Sequence, residues 1–589
     1  MKPLFLILAV MAASAGNALA QISTPDAATL PYCAAVRGNG DSMPAHWGAL
    51  ARMMETYGAP RGMAGGSSAS ITTFLWESAM LNPLLSQDSA FTRGNQLALM
   101  FKSIEGVTYH LYEMPDWKTL ASWITAARSG TAMAALKKAV EASTLAQNIE
   151  DVSDIKSAIE KLHESKIFYG PAIHSLEMSI VDPRQVLLFS ARLKALKETL
   201  TVLGKFDAKN DAQLFVREGL IDFQALARTM GALGDFLSLR NASADAVKSF
   251  QSFMNTCSAI SPGRNWFEIT KLNPSCETML DEAFNRYFAT YPWNNDSRIY
   301  ETIGAHHMAI VATAVVDGAS RDRLRQLRQK YLTTYSPAIG SDYHVDDADL
   351  RFGYWGKNLD KIQANLQDPR NPMSALDKSQ RFMSLGQATW LQILSLSPAE
   401  PGLASAQEFS SVGLKQDLIS VGGWADLHPI PVLKAAGCEK VIYVQRRTGD
   451  AMFSEGVVKR LLNFSKPDWA HLDPYEQGTH LSETLNNNGD PTDMTSTWSK
   501  LYNLRNPMSS YAASLKAADA VICTDWNAYD SEMQFNDLIE NSYGAPIFEA
   551  PGGSMVRNPG AQPTMITEKD NVVDPKLGYS PYAGCIPLQ

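Results

Sequence analysis

Tyr32-Cys33-Ala34-Ala35-Val36-Arg37-Gly38-Asn39-Gly40 and Gly62-Met63-Ala64-Gly65-Gly66-Ser67-Ser68-Ala69-Ser70 are the two stretches that decide the fold. Each is a short apolar run that breaks on glycines. Each break leads into helical spacing, from Pro44 to Tyr57 after the first and from Ile71 to Met80 after the second. Two strand-turn-helix units in direct succession predict an α/β layered core with a mainly parallel sheet.

Moving outward, the texture changes at residue 116. Residues 116–291 carry long amphipathic helical segments, such as Ala132 to Leu162 and Arg184 to Val202, and read as a helical insertion that forms a cap or a lid. Strand character returns at Met308 to Val316, around Gln416 to Val421 and at Lys440 to Gln445, with a helix at Pro431 to Ala436 closed by Gly437. The core begun over residues 30–115 is therefore expected to be completed over 292–465. A C-terminal extension, 466–589, adds a helix at Ser509 to Ala518 and a strand at Ala520 to Thr524.

Composition narrows the function classes. The 589 residues hold 52 Lys+Arg against 61 Asp+Glu, a net charge of −9 that argues against a nucleic-acid binder, which needs a basic face for phosphates. With 45% hydrophobic and 19% charged residues the chain can bury a large core. Lys2, the apolar run Leu4 to Ala13 and the small-residue site Ala18-Leu19-Ala20 read as a secretory signal peptide over residues 1–20, so the expected product is exported, to the periplasm or beyond the cell. That run is too short to span a bilayer, and no transmembrane segment is expected elsewhere. Of the six cysteines, Cys257 and Cys276 flank one loop and are expected to pair, Cys523 with Cys585 is a second candidate pair, and Cys33 and Cys438 read as buried thiols. No CxxC spacing points to zinc.

Three elements carry chemistry. Gly65-Gly66-Ser67-Ser68-Ala69 fits a nucleophile elbow, in which a serine at a sharp strand-to-helix turn needs small residues two positions to either side. The following helix aims its N-terminal dipole at Ser67, and the Ser68 N–H is placed to bind an oxyanion. Gly38-Asn39-Gly40 exposes successive backbone N–H groups at a second such turn, which suits an anion or an oxyanion. No Lys-Ser/Thr pair follows it, and Met43 stands where a dinucleotide fingerprint needs glycine. The third element is Val421-Gly422-Gly423-Trp424-Ala425-Asp426-Leu427-His428-Pro429-Ile430-Pro431, a glycine turn that runs through prolines into a helix.

Taken together, these elements resemble the patatin-like phospholipases and, in the Pro-x-Pro step, the related cytosolic phospholipases. That family places a glycine-rich oxyanion loop ahead of a G-x-S-x-G serine and closes the site with a D-G-G or D-G-A aspartate. The spacing from Gly38 through Gly48-Ala49-Leu50 to Ser67 matches, as does the run from Gly422-Gly423 to Pro429 and on to Lys440 to Val444. Ala312-Thr313 and Ser397-Pro398-Ala399-Glu400-Pro401 look like the family's intermediate strand and loop. The resemblance covers residues 30–465, interrupted by the helical insertion. The departures are Ser42-Met43 for the family's Arg-Gly, Asn39 for the middle glycine of the loop, Ala69 for the last glycine of the elbow, and Val421 at the aspartate position.

The resemblance implies a three-layer patatin-like core and a Ser-Asp dyad. Val421 cannot accept a proton, so another group must. Asp426, five positions on in the same loop, is preferred over Asp317 of Asp317-Gly318-Ala319, and His428 is an alternative base. The implied activity is hydrolysis of ester lipids with Ser67 as nucleophile, Gly38, Asn39, Gly40 and Ser68 as oxyanion donors, and no metal or organic cofactor. Contact with a membrane surface would accompany a lipid substrate. A protein that kept the fold but lost the reaction is the alternative. His306-His307 read as structural, and the acidic loop Asp342 to Asp349 as solvated rather than calcium-binding.

Overall fold

The computed structural model describes residues 30–38, 43–111, 223–291, 301, 303–316, 350–367, 382–398, 407–408, 419–421, 426, 428–446, 517–524, 535–550, 554–559 and 561. The signal peptide, Asn39, Gly40, Asp317, the acidic loop and the segments Ala132 to Leu162 and Arg184 to Val202 lie outside them. In chain order the elements are β1 (Leu30–Val36), α1 (Pro44–Tyr57), β2 (Pro60–Gly66), α2 (Ser68–Met80), α3 (Ala90–Leu111), α4 (Phe223–Ser238), α5 (Ala244–Cys257), α6 (Trp266–Leu272), α7 (Ser275–Ala289), β3 (Met308–Val316), β4 (Leu350–Gly356), α8 (Leu359–Gln367), β5 (Phe382–Ser384), α9 (Trp390–Leu396), β6 (Gln407–Glu408), β7 (Ile419–Val421), α10 (Ile430–Ala436), β8 (Lys440–Arg446), β9 (Ala520–Thr524), α11 (Phe535–Tyr543) and β10 (Ile547–Glu549).

The strands form one sheet in the order β10-β9-β8-β1-β2-β3-β4-β5, with β7 paired to β3 and β6 to β7. β9, β8, β1, β2 and β3 are mutually parallel, so their C-terminal ends share one edge. The sheet is mixed: β4 and β7 run antiparallel to β3, and β10 antiparallel to β9. β1 from Tyr32 to Val36 and β8 from Val441 to Gln445 are buried on both faces, which fits strands covered on either side. Tyr32, Ala34 and Val36 of β1 join the large core formed with α1, α2 and α3. Cys33 and Ala35 point to the other face, where α10 packs on β1, β2 and β8.

The local signals explain the boundaries. α1 begins on Pro44, whose missing N–H costs nothing in the first turn, and stops at Gly58 with φ 78°. α10 follows Pro429 and stops at Gly437 with φ 101°. The described part of the helical insertion, α4 to α7, is not a detached body. α4 packs on α2 and α9, and α7 packs on α3, so these helices extend the same hydrophobic core.

Cys257 and Cys276 are bridged, as their flanking positions predict. Cys33 and Cys438 correct the sequence reading: they are not buried thiols but a second disulfide, with Cα atoms 5.9 Å apart across a separation of 405 residues. The cause is the sheet order, which lays β8 beside β1 with Cys33 opposite Val441 and so brings Cys438, two residues ahead of β8, within bridging distance. Cys523 is also disulfide-bonded, while Cys585 lies outside the described residues.

Candidate active site

Ser67 occupies the break between β2 and α2 with φ 55° and ψ −134°. A non-glycine residue reaches positive φ only when its surroundings hold it there, and four described residues do so: Ser67, Leu239, Asn241 and Asn358. The holding contacts at Ser67 are explicit. Its N–H donates to Ser397 Oγ at 2.9 Å, and Ser397 Oγ donates in turn to the Ala312 carbonyl of β3 at 2.9 Å. Its carbonyl accepts from the Ser70 N–H at 2.9 Å and from Ser70 Oγ at 2.6 Å. Ser397 follows directly on α9, so a strand, a helix end and the elbow are joined by one buried hydroxyl. Nothing in the sequence around Ser397 signals this contact, which joins groups 330 positions apart.

The small residues at the turn are required by contact. A Cβ on Gly65 would lie 2.6 Å from both the Cβ and the carbonyl oxygen of Ala69. The two positions flanking the serine therefore close against each other, and a side chain on Gly65 would force the turn open. Ala69, with only a methyl group, is small enough for the closure.

Asp426 reaches the elbow through strand geometry. β4 occupies one edge of β3 from Ile310 to Val316, and β2 occupies the other only from Met308 to Ala312. β7 takes up that second edge where β2 ends, with Val421 opposite Ala314 and Ile419 opposite Val316. Because β7 runs antiparallel to β3, its C-terminal end at Val421 points towards Ala312, the partner of Gly66. Asp426 arrives there: a Cβ on Gly66 would lie 3.0 Å from the Asp426 carbonyl oxygen. Glycine at 66 makes room for that crossing.

The Asp426 side chain is buried. Its Oδ2 accepts from Tyr354 Oη at 3.1 Å and its Oδ1 from the His428 N–H at 3.1 Å. Burial, and then the charge and hydrogen bond of Asp426, hold the Tyr354 hydroxyl well above its ordinary pKa, so Tyr354 stays a donor. The His428 ring bonds Tyr443 Oη through Nδ1 and meets the Tyr443 ring edge-on, with centroids 5.7 Å apart. Trp424 lies outside the described residues.

On the other flank, Arg37 and Gly38 follow β1, whose Val36 pairs with Gly65, so these two residues lie beside the elbow at the C-terminal edge of the parallel strands. In open α/β sheets this edge is where ligands bind. His46, at the start of α1, ties the two turns together. Its Nδ1 bonds Thr72 Oγ1 of α2 at 3.0 Å, and the ring also bonds the Arg37 backbone. Burial lowers its pKa to about 3, partly offset by that backbone bond, so it is a neutral strut.

The structure thus places Gly38 and the Ser67–Ser68 turn side by side and brings Asp426, with His428, to that turn; Asn39 and Gly40 lie outside the described residues, and Ser397, Tyr354 and His46 join the residues expected from the sequence. Sequence spacing carries no signal for Tyr354 or His46, which arrive by strand pairing and helix packing. His306 and His307 serve structure: their backbone N–H groups bind the buried Glu77 carboxylate of α2, fixing the entry to β3. Among the described residues no cluster of His, Cys, Asp or Glu could hold a metal ion. Nor is any described helix long and apolar enough to cross a membrane. No protein-family model, curated protein or solved structure matches the chain.

Proposed function

We propose that this chain is an exported serine acyl hydrolase with a three-layer patatin-like core, cleaving ester bonds of lipids or phospholipids through Ser67 and Asp426. The observation that carries the reading is the φ of 55° at Ser67, on a strand-to-helix break crossed by the Asp426 loop. Ser67 Oγ attacks the ester carbonyl while its proton passes to Asp426. Tyr354 Oη and the His428 N–H hold that carboxylate in place. The Ser68 N–H at the start of α2 and the backbone N–H groups of Gly38, Asn39 and Gly40 receive the developing oxyanion. Each such donor is worth about 3 kcal/mol in the transition state. Protonated Asp426 returns the proton to the leaving oxygen and the alcohol departs; Asp426 then deprotonates a water that attacks the acyl-enzyme, and the Oγ–acyl bond breaks to release the acid as the proton returns to Ser67 Oγ. The chemistry asks for no metal or organic cofactor, and a lipid substrate would be met at a membrane surface.

A fluorophosphonate probe tests the nucleophile. Labelling of the purified protein is expected, lost in Ser67→Ala and retained in Ser70→Ala. Asp426→Asn is expected to lower ester hydrolysis at least a hundredfold, and a larger loss in Asp317→Asn would reassign the base. A protein that takes up no probe in any form would instead be a lipid-binding protein on the same fold, the reading that Val421 at the family's aspartate position favours.

A further inference from the structure

A chain of buried polar side chains runs behind the site, from the turn after β1 to the Asp426 loop. Arg37 Nη1 donates to Gln445 Oε1 at 3.0 Å, and Tyr443 Oη lies 3.1 Å from the same Oε1. Tyr443 Oη also bonds His428 Nδ1, and the His428 N–H binds Asp426 Oδ1 at 3.1 Å. Arg37, Tyr443 and Gln445 are wholly buried, and His428 and Asp426 nearly so. Their placement follows from side-chain alternation. Tyr443 and Gln445 sit two apart on β8, and Arg37 continues the β1 face that carries Cys33 and Ala35, so all three face α10 and the loop before it.

The charge at one end fixes the protons along the chain. A guanidinium only donates, so the Gln445 atom facing Arg37 must be its carbonyl oxygen. That oxygen only accepts, so the single hydroxyl proton of Tyr443 is committed to it. Tyr443 Oη then has only lone pairs to offer His428, and Nδ1 must carry the proton. We infer that Arg37 sets the tautomer of His428 through Gln445 and Tyr443, holding the ring proton on Nδ1 with Nε2 as the acceptor nitrogen, and that these three are positioning residues for the Asp426 loop. The inference about catalysis rests on the proposed hydrolase; the tautomer does not.

The test uses the full-length protein with its histidines labelled with 15N, His428 being assigned by its loss in His428→Gln. Long-range 1H–15N correlation spectra at neutral pH are expected to show His428 protonated at Nδ1. Gln445→Leu removes the acceptor for the Tyr443 proton, which can then turn to Nδ1, and the spectrum is expected to move towards Nε2–H. Gln445→Glu keeps an acceptor oxygen and is expected to keep Nδ1–H. A wild-type signal from Nε2–H or from imidazolium would overturn the inference, without bearing on whether Ser67 takes up fluorophosphonate. For catalysis, Tyr443→Phe keeps the ring and deletes the hydroxyl. It is expected to lower kcat about tenfold, in line with the loss of one buried hydrogen bond, with KM changed less than twofold. An unchanged kcat in a folded Tyr443→Phe protein would show that the chain does not position the base loop.

Discussion

At Ser67 the local cost and the local support can be set against each other. A serine at φ 55° is strained by roughly 1–3 kcal/mol, and the strain persists because Ser397, Ser70 and the Gly65–Ala69 contact leave the backbone nowhere else to go. Gly65 is the most exposed to test. Gly65→Ala places a Cβ 2.6 Å from Ala69, so the start of α2 must move away from β2. Thermal unfolding is expected to show a loss of about 1–3 kcal/mol, and fluorophosphonate labelling should fall with it. Full stability in that variant would mean that the turn is not closed as described.

Between elements, His46 is the strut whose behaviour pH can reveal. Buried on α1 and bonded to Thr72 of α2, it has a pKa of about 3 in the folded chain against 6.5 in the unfolded one. The unfolded chain therefore binds the proton first as pH falls. The stability that neutral His46 preserves is intact above pH 6.5 and drains away as pH drops towards 3, by up to about 1.4 kcal/mol per pH unit. Denaturant unfolding is expected to show a loss of about 2–3 kcal/mol between pH 6.5 and 4.5 that is absent in His46→Gln. A slope that survives the substitution would assign the effect to other groups.

The whole molecule is tied together by contacts far apart in sequence. The buried Lys102 of α3 is ion-paired with Glu55 of α1, and its Nζ donates to the carbonyls of Ser261 at 2.7 Å and Arg264 at 2.6 Å. Tyr543 of α11 donates to Glu55 Oε2, and the Lys102 ammonium stands 4.9 Å from the Tyr543 ring centroid. Burial lowers the Lys102 pKa, while Glu55 acts to raise it. This one cation joins the N-terminal unit, the loop after α5 and, through Glu55 and Tyr543, the C-terminal extension. Lys102→Met strands Glu55 and is expected to cost about 3–5 kcal/mol in guanidinium unfolding, with the Glu55→Gln/Lys102→Met double variant costing less than the sum of the single ones. Additive losses would show that the two residues are not coupled.

What the sequence determined by itself is the local grammar. Glycine after apolar runs marks the ends of β1 and β2, helical spacing from Pro44 to Tyr57 bounds α1, and Gly65, Ser67 and Ala69 announce the elbow. The helix boundaries over residues 44–57 and the strand over 308–316 follow from spacing alone, because period and capping are properties of neighbours in the chain. Only the tertiary structure decided which distant groups meet. The disulfide from Cys33 to Cys438, the hydroxyl of Ser397 under Ser67 and the run from Arg37 to His428 all depend on β8 lying beside β1 and β7 taking the edge that β2 vacates. Strand order is chosen by the packing of the whole core, which no window of residues contains. A thiol at 33 and another at 438 therefore read alike whether they are bridged or free.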